Sequence, residues 1–226
     1  MKIVGSFPNV RLRRLRKSKW IRDLVSESSI SHNDLILPIF LREGKRKVDS
    51  IKSMPGVKRY SIDKLPIILK QVEKYKIPMV ALFPYTYSNK KDELGLEALN
   101  DNNLVCKAIR FIKKKFSNIG VMCDVALDPY TTHGHDGIIK KNKIDNDETI
   151  KILVKQALLQ VKMGCDVIAP SDMMDGRIGE IRKALDKNNF NDVPIISYAV
   201  KFASNFYGPF RDAVGSKKNL KQDKKT

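Results

Sequence analysis

The 226-residue sequence predicts an α/β protein of the (β/α)8 TIM-barrel type, with an N-terminal arm and about the first five β/α units present, an incomplete barrel. Three observations predict it. Short apolar runs alternate with helical patterns, as in a parallel sheet buried on both faces. No Gly-x-Gly-x-x-Gly turn follows any run, which argues against a dinucleotide-binding sheet. The polar residues Asp128, Asp136, Ser171, Asp172 and Lys201 gather after the third, fourth and fifth runs, and function in a β/α barrel sits at the carboxyl ends of the strands.

Residues 1–33 read as an extended basic arm and 34–226 as the partial barrel domain. The run from Arg11 to Lys17 has no core-facing period, and a short helix is expected near Trp20. Residues 35–41 are the first strand, followed by a loop through Met54, Pro55 and Gly56. Residues 63–76 are helical because Leu65, Ile68, Leu69 and Val72 share one face. Strands follow at 78–85 and 119–127, with a helix between them at 102–116. A helix at 147–163 carries Ile150, Leu153, Val154, Ala157 and Leu158. Residues 166–170 are a strand, 179–185 a helix and 193–200 the fifth strand.

The composition, 42% hydrophobic and 30% charged, is that of a soluble globular chain. No apolar run reaches the roughly 18 residues of a membrane helix, and the start has no signal-peptide core. Cys106, Cys123 and Cys165 fit neither a disulfide framework nor a metal knuckle, so a reducing, cytoplasmic location is expected. The net charge of +18 is concentrated at the ends, with eight basic and no acidic residues in 1–22. A basic arm can bind nucleic acid or an acidic lipid surface, or pack on an acidic neighbouring subunit.

Three stretches carry chemistry. Lys201 ends the fifth apolar run, where a buried lysine is costly unless used. Schiff-base formation with a ketone needs a neutral amine, which burial favours. Asp124, Asp128, His133, His135 and Asp136 run off the third strand, either as a polar substrate wall or as a site for a hard cation. Cys123 should point away from Asp124 by strand alternation. Ser171 and Asp172 lie just past the fourth strand, Met173 and Met174 read as packing, and Asp175 reads as a helix cap.

Together these stretches resemble one family, porphobilinogen synthase or 5-aminolevulinate dehydratase, in its aspartate-rich branch. The resemblance runs from Arg13-Arg14-Leu15-Arg16 through Asp34-Leu-Ile-Leu-Pro-Ile-Phe40 and Ser53-Met-Pro-Gly-Val57 to the aspartate loop. It continues through Ser171-Asp-Met-Met-Asp-Gly-Arg177 and the segment from Ser197-Tyr198 through Lys201 to Tyr207-Gly-Pro-Phe-Arg-Asp212. It implies a lyase that condenses two molecules of 5-aminolevulinate into porphobilinogen with loss of two waters. It implies a homo-octamer in which the arm packs on a neighbour, which displaces the nucleic-acid reading. Lys201 matches the A-site Schiff-base lysine, Arg211 an arginine holding a substrate carboxylate, and Lys224 or Lys225 a second cationic contact. Tyr207 and Phe210 match residues lining the other substrate's pocket.

The positions where zinc-dependent members carry cysteines are Ala126, Asp128 and Asp136 here, so no zinc is expected in that loop. Asp124, Asp128 and Asp136 then form a polar wall, with Asp128 and Asp136 as candidate metal ligands. Magnesium is the implied cation, with its allosteric ligands beyond this chain. About a hundred further residues, with a second Schiff-base lysine, are implied past Thr226 by the three absent β/α units. Without them activity is expected to be impaired, strands one and five become open edges, and a complementing C-terminal polypeptide is one alternative. A non-catalytic basic binding protein is the other.

Overall fold

The computed structural model describes residues 5–202, 204–205 and 207–215. The chain divides into two compact units between Asp34 and Leu35. In the first, Leu12–Arg16 form a 3-10 turn and helix α1 spans Lys19–Leu24, neither burying a residue. The basic run is therefore turned rather than extended. Its guanidinium groups close back on the main chain, with Arg14 Nη1 donating to the Asn9 carbonyl at 2.9 Å and Arg22 Nη1 to that of Arg16 at 3.0 Å.

The second unit is built from β1 (Ile36–Leu41), β2 (Val48–Ser50), β3 (Lys58–Tyr60), α2 (Leu65–Lys74), β4 (Met79–Pro84), α3 (Leu104–Lys115) and β5 (Gly120–Val125). It continues with the hairpin β6 (Ile138–Lys140) and β7 (Lys143–Asp145), then α4 (Asn146–Lys162), β8 (Val167–Pro170), α5 (Arg177–Lys187) and α6 (Tyr207–Ala213). The main sheet has the order β2-β3-β1-β4-β5-β8, and β1, β4, β5 and β8 are parallel.

Register sorts the side chains into two faces, because successive residues of a strand point to opposite sides. Ile39, Leu82, Cys123 and Ile168 are aligned across the strands and pack against α2, α3, α4 and α5. Phe40 and Phe83 are aligned on the opposite face, as are Ala81, Met122 and Val167. All four of these helices cover one face, whereas a doubly wound sheet would carry helices on both. The architecture is that of a β/α-barrel wall with its inner face towards Phe40 and Met122.

Local chemistry sets the helix ends. Asn103 caps α3 by accepting from the Cys106 amide at 2.8 Å, and Lys113, Lys114 and Lys115 meet the negative end of its dipole. Asp145 caps α4 through the Glu148 amide at 3.1 Å. On α2, Leu65, Leu69 and Val72 are fully buried, as their spacing predicts. Leu69→Ala is expected to lower unfolding free energy by about 2–5 kcal/mol, measured by urea denaturation, since it leaves a cavity in close-packed surroundings.

Four expectations need correction. Residues 193–200 do not form a regular strand. They run beside β8 through the Ile168–Ile195 bridge and the bonds Ile168 N to Pro194 O (3.1 Å), Ile196 N to Ile168 O (2.9 Å) and Tyr198 N to Pro170 O (3.2 Å). With one neighbour only among the described residues, the run lacks a second ladder. β1 is an open edge only in part: β3 pairs with its end at Phe40–Arg59 and Leu41–Tyr60, and among the described residues Ile36–Ile39 have no partner on that side. Asp175 does not cap α5; Gly176 occupies the cap position with no side-chain bond, and the Asp175 amide donates instead to Asn146 Oδ1 at 2.8 Å. Met174 is buried as expected, but Met173 is exposed because it lies on the outward side of the turn.

Both hairpins went unseen in the sequence. The β6–β7 turn uses Lys141 and Asn142 with φ of 48° and 59°, a left-handed pair usually built from Asn and Gly. No helix among the described residues is long and apolar enough to cross a membrane.

Candidate active site

A cavity of about 730 Å3 opens on the inner face at the carboxyl ends of the strands. Ala81, Phe83 and Met122 form its floor, and Asp124, Asp128, Ser171, Lys201, Tyr207, Phe210 and Arg211 line its walls. Parallel strands bring their ends to one level, so residues from the ends of β5 and β8 and from the run beside β8 meet there. Asp124 faces the cavity because it follows Met122 by two, and Cys123 between them is buried on the helix side.

Lys201 Nζ donates to the Ser171 carbonyl at 2.8 Å and stands 5.5 Å from the centre of the Tyr207 ring. Arg211 Cζ stands 6.0 Å from the same ring. An amine and a guanidinium thus share one aromatic side chain in one cavity. Lys201 is exposed rather than buried, which corrects the sequence expectation. Among the described residues, the run leading to it has a strand partner on one side only.

Asp124 is enclosed by protein except where it meets the cavity. Burial pushes its pKa up to about 7; the Ser171 hydroxyl opposes the rise by hydrogen bonding, Asp128 adds to it, Lys201 opposes it and Asp136 adds to it. A carboxyl group titrating near neutrality can both hold and release a proton during chemistry. Burial likewise raises the Tyr198 hydroxyl to about 12, with Asp124 contributing.

Two predicted residues do not reach the cavity. Asp136 is buried behind the wall and affects Asp124 through charge. Asp172 is buried beside the turn into α5: Oδ1 accepts the Met174 amide at 2.7 Å and Oδ2 lies 3.2 Å from Arg177 Nε without hydrogen-bond alignment. Burial raises the pKa of Asp172, against the Met174 amide and Arg177. Lys224 and Lys225 lie outside the described residues.

The aspartate loop is held by its own imidazoles. His133 Nδ1 accepts from the His135 amide, His135 Nδ1 from the Gly137 amide, each at 3.1 Å, and Thr131 Oγ1 donates to the His135 carbonyl at 2.9 Å. At Gly137 a Cβ would lie 2.7 Å from Ile144 Cγ2, so a side chain there would force Ile144 to shift. Among the described residues, no three His, Cys, Asp or Glu side chains are grouped so as to hold a metal ion.

Sequence reasoning missed four contributors. Gln156 and Gln160, buried on α4, donate to the Ala126 and Asp124 carbonyls at 3.2 and 2.9 Å and hold the end of β5. Their four-residue spacing on the apolar side of α4 was the available signal. Lys91 Nζ is buried without a hydrogen bond among the described residues; burial lowers its pKa and Asp128 opposes the fall. Nothing in the local sequence marks Lys91. Tyr198 could have been found from its place in the lysine segment.

Comparison with known proteins bears on this geometry. The family model for Delta-aminolevulinic acid dehydratase matches residues 9–226. The chain is 55% identical over 217 residues to the Delta-aminolevulinic acid dehydratase of Bradyrhizobium diazoefficiens, covering 96% of this chain and 62% of that protein. It is 47% identical to that of Methanothermus sociabilis, covering 93% of this chain and 65% of the relative. Among solved structures, the delta-aminolevulinic acid dehydratase (porphobilinogen synthase) of Toxoplasma gondii ME49, in complex with its reaction product porphobilinogen, superposes with a TM-score of 0.90. The identity is 39%, over 96% of this chain and 62% of that one. The chain thus spans just under two thirds of the length of these relatives. The family model's match over residues 9–226, with relatives 47–55% identical over nearly the whole chain, places the chain in the delta-aminolevulinic acid dehydratase family.

Proposed function

We propose that this chain binds 5-aminolevulinate covalently at Lys201 and serves in its condensation to porphobilinogen. The observation that carries the reading is the sharing of the Tyr207 ring by the Lys201 amine and the Arg211 guanidinium within one cavity. 5-Aminolevulinate carries a ketone and a carboxylate on one short chain. The ketone carbon meets the amine, and the carboxylate meets the planar guanidinium, whose donors match its two oxygens.

In this reading the Lys201 amine gives up a proton to solvent and adds to the ketone carbon, the carbinolamine loses its hydroxyl as water, and an imine forms. Asp124 supplies the proton that lets hydroxyl leave and recovers it from the nitrogen or from solvent. The Ser171 carbonyl holds one N–H of Lys201 and so orients its lone pair. The Ser171 hydroxyl opposes the rise in the Asp124 pKa. Asp128 completes the polar wall, and Phe210 gives the cavity an apolar side.

The overall reaction joins two substrates and releases two waters. Lys201 serves one of them, and the lysine serving the other is assigned to polypeptide outside the described residues. Magnesium, the homo-oligomer and a complementing polypeptide belong to this proposal. Borohydride reduction of the chain with 5-aminolevulinate, followed by peptide mapping, tests the reading. The expected result is a reduced adduct on the peptide containing Lys201; an intact, folded chain with no adduct there would overturn it.

A further inference from the structure

The segment carrying Tyr207, Phe210 and Arg211 is short. Helix α6 has seven residues, below the length at which a helix holds itself in water. Its place must come from tertiary contacts. On one side Phe210 packs edge-on against Phe83 at 4.7 Å and Phe40 at 5.4 Å, ring centre to ring centre. These contacts, with Ala213 and Val214 buried in the same cluster, anchor the apolar side of the helix on the sheet.

The polar end is held by residues from far away in the chain. Arg59 on β3 donates from Nε to the Ala213 carbonyl at 2.7 Å and from Nη2 to the Asp212 carbonyl at 2.6 Å. The guanidinium fork therefore takes two adjacent carbonyls at the C-terminal end of α6, where a helix leaves acceptors unpaired and its dipole favours a cation. The same guanidinium lies over the Tyr85 ring at 4.7 Å, which limits its rotation. Ser53, before the same strand, donates to the Asp212 carboxylate at 2.6 Å. A surface arginine would not need three such constraints. Burial lowers the pKa of this one, with Tyr85 and Asp212 opposing the fall.

We infer that Arg59, with Ser53, is a positioning clamp that fixes the rotation of α6 and thereby aims Arg211 at the substrate carboxylate. The clamp makes the small β2–β3 hairpin part of the active site although none of its side chains lines the cavity. It rests on the proposed role of Arg211, so its test has one arm that does not.

The first arm is amide hydrogen exchange of residues 207–215 in ligand-free wild type, Arg59→Met, Arg59→Lys and Ser53→Ala. Exchange should quicken about tenfold or more in Arg59→Met, less in Ser53→Ala, and return part-way in Arg59→Lys, which keeps one donor and the charge. Unchanged exchange in both Arg59→Met and Ser53→Ala overturns the clamp. Quickening across the whole chain in Arg59→Met gives the decision to Ser53→Ala, where the change must stay within 207–215.

The second arm compares borohydride trapping of 5-aminolevulinate and of aminoacetone, an aminoketone without a carboxylate. In Arg59→Met the half-saturating concentration should rise about tenfold for 5-aminolevulinate and stay within about twofold for aminoacetone. Equal loss for both ketones, or none for either, shows a structural role only and overturns the positioning role. If wild type forms no adduct with either ketone, the proposed function fails, and the exchange arm still decides the clamp.

Discussion

Asp124→Asn is expected to stabilise the fold at pH 7.5 and to leave it unchanged at pH 4. The Asp124 carboxyl rises from an ordinary 3.8 to about 7 in the folded chain. The folded state therefore binds this proton more tightly than the unfolded chain does. Its contribution to stability is full below about pH 4, falls as pH rises towards about 7, and is constant above. The span corresponds to roughly 4 kcal/mol at most, and the face open to the cavity reduces it. Asn keeps the shape but has no charge to bury. Asp34, Asp63, Asp145 and Glu148 have lowered pKa values and impose the opposite slope, since their contributions are lost on acidification. They are common to both proteins, so the difference between the two curves isolates Asp124. Urea midpoints at pH 4, 5.5 and 7.5 measure it; parallel curves would show that Asp124 titrates as an ordinary carboxylate.

Arg211→Ala is expected to raise the half-saturating concentration of 5-aminolevulinate in borohydride trapping by about 10- to 100-fold, the loss of one charge-assisted pair. Arg211→Lys should fall between, because an ammonium restores charge but not the two-pronged geometry. The maximal extent of labelling should be retained, since Lys201 is untouched. Trapping of aminoacetone should not respond, as it has no carboxylate to lose. An equal loss for the two ketones would remove Arg211 from carboxylate recognition and assign it to packing on Tyr207.

Much of this was legible in the chain. Leu65, Leu69 and Val72 at helical spacing marked α2, and the continuous apolar runs marked β1, β4, β5 and β8, because buried parallel strands are apolar on both faces. The alternation around Asp124 already put its side chain opposite to Cys123. Less was legible where pairing depends on distant partners. The β2–β3 hairpin is short and polar, and only its pairing to β1 and its grip on α6 give it a purpose. The run 193–200 has a strand's composition, but a strand also requires neighbours, and composition does not count them. Asp136 and Asp172 had the right chemistry at the right places in sequence, yet Asp136 is buried behind the wall and Asp172 is turned to Arg177.

The sequence by itself determined the fold class, the family, and the residue types that carry the chemistry, since periodicity and motif are local properties of a chain. Tertiary structure alone decided which of those residues share a cavity, that burial moves Asp124 to neutrality, and that Arg59 holds the helix bearing Arg211. Burial, charge coupling and clamping all depend on distances between residues far apart in sequence, up to 159 positions for Ser53 and Asp212, and those distances exist only once the chain has folded.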